Sequence, residues 1–377
     1  MQASVWEQDS YYSHRHIIIV GAGLAGLWSA IELKRHDKTL KILLLEKGAI
    51  PSGASTRNAG FACFGSPTEL LHDAATLGED NMWTIAEMRY QGLCKIRRFL
   101  GDGTIDFDPC GGYELLDERY NGDDALEEKL VWLNEGLAKI TGEDKTFSFA
   151  DEKLKPFKFN SFKHIIENKF EGGLHSGKLV GQLTQKVLAL GVEIINGVAV
   201  TGWEKQQGYV EVNTAGGKIF SCDKLLICNN GYASDLIKNI KTTPARGQVL
   251  VTSPLQALPF KGTFHVEEGF YYFRNLGNRV LLGGARNKAF EEEKTTEMEV
   301  TDVIQSELER FLKEKILPGQ TYTIENRWSG IMGFTETKLP IADEVAPGVY
   351  VLITCNGMGV ALSPIMAEKA AALICGQ

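Results

Sequence analysis

The sequence predicts an α/β chain, α+β overall: a domain built on a parallel sheet, interrupted by a second, antiparallel β-rich domain with helices. Three observations lead there. A short apolar strand runs into a glycine turn, a helix and a second strand over His16–Glu46. Strands of the same buried type return at Lys224–Cys228 and Gly348–Thr354. Between these returns lie alternating stretches, FHVEEGFYYFR and RVLLGGAR. Unalternated β-branched runs suit strands covered on both faces, and alternation suits antiparallel strands with one face on a core. The expected boundaries are 1–85, 165–245 and 325–377 for the parallel-sheet domain, and 86–164 and 246–324 for the other.

Ile17–Val20 is the first buried strand. Gly21, Gly23 and Gly26 follow as G-x-G-x-x-G, the Rossmann-like turn. Gly21 permits the tight turn, Gly23 admits a pyrophosphate to the backbone, and Gly26 lets the helix approach the strand. The helix N-terminus favours an anion. A second strand, Lys41–Leu45, ends at Glu46, about twenty positions on, where a carboxylate accepts hydrogen bonds from a ribose diol. The Gly/Ser/Ala-rich segment after it, with Gly53, Ala54, Ser55, Ala59 and Gly60, lets backbone lie against a ligand, and Arg57 and Asn58 offer donors.

Leu70–Leu100 reads as one or two amphipathic helices and Gly111–Leu116 as a strand. Asp123–Ile140 reads as a helix capped by Asp, with Leu126, Leu130, Leu133 and Leu137 on one face. His175–Leu190 is a further helix and Val192–Val200 a strand. Val210–Val212 and Lys218–Ser221 form a meander, and a charged helix is expected over Thr301–Lys313. The last helix is expected from Ser363 to Ile374, with Pro364 in its first turn.

Forty basic against 48 acidic residues give a net charge of −8 without a long Lys/Arg block, which argues against nucleic acid. Seven scattered cysteines without C-x-x-C spacing predict reduced thiols, no disulfide framework and no metal site. The first fifteen residues are unlike a signal peptide, and the most apolar stretch is too short and glycine-rich to span a bilayer, so the expected location is cytoplasmic. On the glycine turn and Glu46 alone, an NAD dehydrogenase, an FAD enzyme and a non-catalytic nucleotide-binding protein all remain open.

Several ordered motifs narrow this. GAGLAG with Glu46, GASTRNAG at Gly53, GLHSGKLVGQL at Gly173, GVAV at Gly197, CNNG at Cys228, PARGQ at Pro244, YYFR at Tyr271, LLGGAR at Leu281, RWSGIMGFTETKLPIAD at Arg327 and CNGMGVALSP at Cys355 together resemble the D-amino-acid oxidase superfamily of FAD enzymes, which includes glycine oxidase and monomeric sarcosine oxidase. SVWEQ, RNAG and WSGIMGFT look most like the branch containing gamma-glutamylputrescine oxidase. The resemblance implies that Gly21, Gly23, Leu24, Ala25 and Gly26 hold the pyrophosphate, with Glu46 and Lys47 at the adenosine ribose. It implies that Gly53, Ala54, Ser55, Arg57, Asn58, Ala59, Gly60 and Gly330 line the flavin and its ribityl chain. Val198 would meet the adenine end; Asn229, Asn230 and Gly231 would close the nucleotide site. Asn356, Gly357, Met358, Gly359 and Val360 would lie at the pyrimidine side of the ring, where a helix N-terminus favours the charge of the reduced flavin. An NAD-only enzyme has no use for RNAG or NGMG.

Two departures from the family pattern bear on function. Amino-acid oxidases of this superfamily carry an arginine for the substrate carboxylate in the stretch matching Trp328–Pro340, whereas this chain has Ile331-Met332. Without a planar bidentate partner, amines lacking an α-carboxylate become the expected substrates, with Arg274, Arg286 or Arg327 as other possible sources of that contact. Sarcosine oxidases also tether FAD to a cysteine and place a lysine over the flavin at the strand matching Leu281-Leu282. Here no cysteine occurs between Cys228 and Cys355 and leucines replace the lysine, so FAD is expected to be non-covalent, with oxygen or another molecule as electron acceptor. The expected reaction is oxidation of an amine C–N bond to an imine that hydrolyses to aldehyde plus amine or ammonia. Tyr272, Arg274, Trp328, Met332 and His265 are the candidate catalytic residues, and Tyr271, Tyr272, Phe273 and Trp328 are expected to form an apolar wall. A glycine, sarcosine or D-amino-acid oxidase or dehydrogenase is the alternative.

Overall fold

The computed structural model describes residues 3–120, 124–353 and 356–376. The chain divides into two compact units, residues 1–56, 177–244 and 332–377 in the first, and 57–176 and 245–331 in the second.

The first unit is built on a sheet in the order Ile341–Ala346, Val349–Ile353, Ile219–Ile227, Arg15–Val20, Ile42–Glu46, Glu193–Asn196. All neighbours in that order are parallel except the first pair, an antiparallel edge. Ile17 pairs with Ile42 and Ile18 with Leu225. Ile18 and Val20 join a core with Leu43, Leu45, Leu225, Ile227 and Val351. On the opposite face Ile19 supports the glycine turn, its Cγ2 lying 3.3 Å from where a Cβ on Gly26 would stand. Helices Leu24–His36 and Gly359–Cys375 pack against one another.

The second unit holds an eight-stranded sheet: Ile324–Phe334, Thr243–Thr252, Arg279–Gly284, Tyr271–Leu276, Thr263–Val266, Gly112–Leu116, His164–Asn168, Phe147–Phe149. Thr263–Val266 runs parallel to Gly112–Leu116, and the strand pairs flanking it are antiparallel. Alternation sorts the faces. Tyr271 and Phe273 enter a core with Phe264, Leu282, Leu308 and Phe311. Phe273 stacks on Phe264 with centroids 4.6 Å apart, and Tyr271 on Phe311 at 4.3 Å. Tyr272 turns to the other face, with Val249, Val251, Leu281, Phe61 and Trp328.

Several elements differ from expectation. Val192–Val200 is two strands, Glu193–Asn196 and Val200–Lys205, separated by Gly197 at φ 76°; the first joins the parallel sheet and the second the meander. Lys218–Ser221 and Lys224–Cys228 belong to one strand, Ile219–Ile227, whose first half pairs antiparallel and whose second half pairs parallel. The charged helix ends its regular part at Phe311 and continues as a π turn over Leu312–Ile316. The last helix begins at Gly359, so Pro364 sits inside it and gives no N–H to the carbonyl of Val360. A short helix Val5–Ser10 with a Ser4/Glu7 capping box precedes the first strand. The expected Asp123 cap lies outside the described residues; its helix is Asp124–Thr141.

Candidate functional site

In the first unit, the carboxyl ends of Arg15–Val20, Ile42–Glu46 and Ile219–Ile227 gather the predicted nucleotide residues, as open α/β sheets do. Gly21 has φ 101° and lies against Cys228, whose carbonyl oxygen would be 3.0 Å from an added Cβ. A Cβ on Gly26 would stand 2.0 Å from the Gly21 carbonyl oxygen, so only glycine lets the helix start there. Gly23 is the extended N-cap of Leu24–His36 and has no side-chain cap. Ser55 Oγ instead accepts the Leu24 N–H at 2.9 Å, bringing the Gly53–Ser55 segment to the helix N-terminus beside Ala25.

Glu46 is buried, and its two oxygens accept the N–H groups of Ala22 at 3.0 Å and Gly48 at 2.9 Å. Two backbone donors fix the carboxylate and leave lone pairs for a diol. Its carbonyl accepts the Val198 N–H at 2.9 Å, which places Val198 beside it. Lys47 lies with its Nζ 5.5 Å from the Tyr232 ring centroid.

At the next strand end, the buried side-chain oxygens of Asn229, Asn230 and Thr242 have no hydrogen-bond partner. Gly333 lies on this group: a Cβ there would be 3.1 Å from Asn230 Oδ1 and 3.2 Å from the Gly231 nitrogen. The Asn356 N–H donates to the Gly333 carbonyl at 2.8 Å. Gly357 has φ 81°, with Met332 Sδ 3.8 Å from its Cβ position. Met358 then caps the helix beginning Gly359-Val360 without a side-chain acceptor. Sequence reading missed Thr242 and Gly333. Thr242 carries no local signal, whereas Gly333 stood within the quoted WSGIMGFT motif.

In the second unit the R-N-A-G turn is tied on every side. Arg57 donates from Nη1 to the Ser329 carbonyl at 3.0 Å, and its own carbonyl accepts Trp328 Nε1–H at 2.9 Å. Gly330 leaves room for Arg57, whose Cβ is 3.1 Å from the place of an added Cβ. Asn58 Oδ1 accepts from the Gly60 N–H at 2.9 Å and Ser176 Oγ at 2.6 Å. These contacts hold the backbone of the turn. Ala59, Phe61, Tyr272, Leu281 and Trp328 form an apolar cluster on the sheet face beside it. The Tyr272 ring lies over Gly283, its Cε2 being 2.4 Å from where a Cβ would stand, and burial pushes its phenol up to about 12.

The candidate polar residues have definite surroundings. His265 is buried against Phe61, centroids 5.2 Å apart, and burial pushes it down to about 4, so it stands neutral. Its Nε2 lies 3.8 Å from Glu171 Oε2. Arg274 donates from Nη1 to the carbonyls of Gly60 and Leu174, and from Nε to that of Asn275. Arg327 donates to Gln305 at 2.6 Å and pairs with Glu309 at 2.7 Å. The Arg286 guanidinium packs on the Phe290 ring at 4.9 Å. Among the described residues no cluster of His, Cys, Asp or Glu could hold a metal ion, six cysteines are free thiols, and no helix is long and apolar enough to cross a membrane.

A glycine-cradled helix N-terminus and a pinned carboxylate at the next strand end give the first unit the features of a dinucleotide-binding fold of the α/β class. A family model described as FAD dependent oxidoreductase matches residues 16–373, and the chain belongs to that family. It is 26% identical to the probable oxidoreductase OrdL of Haemophilus influenzae, across 96% of this chain and 83% of OrdL. It is 23% identical to the bifunctional protein ThiO/ThiG of Trichormus variabilis, across 96% of this chain and 53% of that one. Among solved structures, glycine oxidase from Geobacillus kaustophilus superposes with a TM-score of 0.77 at 18% identity, covering 97% of this chain and 96% of that one. L-amino acid deaminase from Proteus vulgaris gives 0.71 at 20% identity, covering 97% and 90%. The protein is therefore an oxidoreductase with FAD as its cofactor. The residues fit that group: neither helix N-terminus is capped by the side chain of its own N-cap residue, and the side-chain oxygens of Asn229, Asn230 and Thr242 are buried without a hydrogen-bond partner.

Proposed function

We propose that the protein oxidises an amine whose reacting carbon bears no carboxylate, with compounds like gamma-glutamylputrescine as the leading class. The observation that carries this reading is the environment of the arginines. The stretch where amino-acid oxidases of the family carry a carboxylate-pairing arginine reads Ile331-Met332, while Arg274 and Arg327 are engaged by protein acceptors. The adjoining sheet face is apolar, with Tyr272, Phe61, Leu281 and Trp328. A carboxylate brought there would lose its hydration against a cation, Arg286, whose charge reaches Tyr272 but whose guanidinium already packs on Phe290. An uncharged amine on an alkyl chain loses far less.

Bound FAD supplies the two-electron acceptor for the C–H beside the nitrogen. The protein has to orient that bond and keep the nitrogen uncharged. Residues 1–56, 177–244 and 332–377 serve as the FAD domain and the second unit as the substrate domain. The glycine turn, Ser55 and Glu46 secure the adenosine and pyrophosphate end. The fixed R-N-A-G backbone and the aromatic wall serve the reacting end. Tyr272, as a neutral phenol, is a donor rather than a base. Neutral His265 lies behind Phe61 and acts through packing. FAD is held without a covalent bond, so acid precipitation is expected to leave a colourless pellet and a yellow supernatant.

The test is anaerobic mixing of the FAD-loaded enzyme with gamma-glutamylputrescine and simple diamines, against glycine, sarcosine and D-alanine. Bleaching of the flavin band by the amines at the lowest concentrations is expected. Bleaching by the amino acids alone would sink the reading and turn attention to Arg286.

A further inference from the structure

We infer that Arg274 is a positioning residue that holds the flavin-facing turn Arg57–Gly60 in shape, and that it pairs with no substrate carboxylate. Arg274 is 8% exposed. Its Nη1 bridges the carbonyls of Gly60 and Leu174, the latter at 3.0 Å, and its Nε reaches the Asn275 carbonyl at 3.2 Å. The same turn is closed by the Leu174 N–H donating to the Gly60 carbonyl at 2.8 Å. One guanidinium thus fixes a junction of two chain segments far apart in sequence.

Two glycines make the chamber. A Cβ on Gly173 would stand 2.2 Å from Arg274 Nη2; one on Gly60 would stand 2.9 Å from Nη1 and 2.4 Å from the Leu174 carbonyl oxygen. Gly60 also has φ 73°, a conformation other residues adopt at a cost. The space is therefore shaped to the fork of the side chain. The acidic groups acting on the guanidinium are Cys110 and Asp108, and Asp108 is itself paired with Lys261 at 2.8 Å. A nearly buried cation partnered by carbonyls is costly unless its geometry is used. Here it fixes Gly60, the last residue of R-N-A-G, while Trp328 and Ser176 fix Arg57 and Asn58. Lysine presents a point charge in place of the planar fork and cannot reproduce both directions of donation.

The test is FAD titration of the apoprotein by Arg274→Lys and Arg274→Gln, with hydrogen exchange of peptides covering 57–66 and 172–176 and the visible circular dichroism of the bound flavin. Both variants are expected to bind FAD at least about tenfold more weakly, with an altered flavin dichroism and faster exchange confined to these two segments. Ser176→Ala loosens the same turn through Asn58 without touching Arg274, and is expected to shift exchange and FAD affinity in the same direction. Unchanged FAD affinity in Arg274→Lys would overturn the assignment. So would a loss confined to the apparent affinity for amine substrates. Because the titration contains no amine, its outcome is independent of which substrate the enzyme takes.

Discussion

Replacing Glu171 by glutamine is expected to stabilise the protein at alkaline pH while leaving it nearly unchanged at pH 5. Glu171 is 1% exposed, and its Oε1 accepts the Phe64 N–H at 2.9 Å. Burial pushes it up from 4.5 to about 8, because backbone donors, Phe64 and Gly65, only partly replace lost hydration and Glu69 and Glu114 add negative charge nearby. His265, held neutral, lends no positive charge from 3.8 Å away. A carboxyl whose folded pKa is raised contributes its full stability below pH 4.5. Above that the unfolded chain ionises while the folded chain does not, so stability falls until about pH 8. At about 1.4 kcal/mol per pH unit, the loss from Glu171 approaches roughly 5 kcal/mol. Glutamine keeps the acceptor for Phe64 and does not titrate. The assay is urea denaturation of wild type and Glu171→Gln from pH 5 to 8, with the infrared carbonyl band of a protonated carboxyl at pH 7. The variant should show the flatter pH dependence and lose intensity in that band. A variant destabilised equally at every pH, with the band unchanged, would show that Glu171 is an ordinary ionised carboxylate and refute the reasoning.

Gly26→Ala should abolish FAD binding, since its Cβ would fall 2.0 Å from the Gly21 carbonyl oxygen; purified protein without flavin absorbance after reconstitution is the expected result. Phe273→Ala removes a fully buried ring stacked on Phe264 and should cost about 3–5 kcal/mol in denaturation.

The glycine turn and the acid after it were legible because their chemistry is local. Gly21, Gly23, Gly26 and Glu46 each have a reason that a few neighbouring residues disclose. The aromatic run was legible only in part: the sequence puts Tyr271, Tyr272 and Phe273 in one apolar wall with Trp328, whereas the pleat sends Tyr271 and Phe273 into the core and leaves Tyr272 with Trp328 on the other face. The ties on the R-N-A-G turn were not legible, because they join residues far apart in the chain. Nothing near Arg274 in sequence announces Gly60, and nothing near Glu171 announces Phe64. Sequence pattern also placed Pro364 in a first helical turn; a proline interior to a helix is disfavoured locally, and the apolar packing of Ala361, Leu362, Met366 and Ala367 on both sides overrides that preference. Val192–Val200 read as one strand because its apolar residues run on across Gly197, where the left-handed backbone breaks the pairing.

The central claim concerns the missing carboxylate partner, and a matched pair isolates it. N-acetylputrescine and ornithine acetylated at Nδ each keep one free amine and differ at its carbon by the carboxylate alone. Anaerobic stopped-flow mixing of each with the FAD-loaded enzyme gives the rate and concentration dependence of flavin bleaching. Bleaching by N-acetylputrescine is predicted at concentrations where the acetylated ornithine leaves the flavin oxidised. Faster bleaching by the acetylated ornithine would contradict the claim.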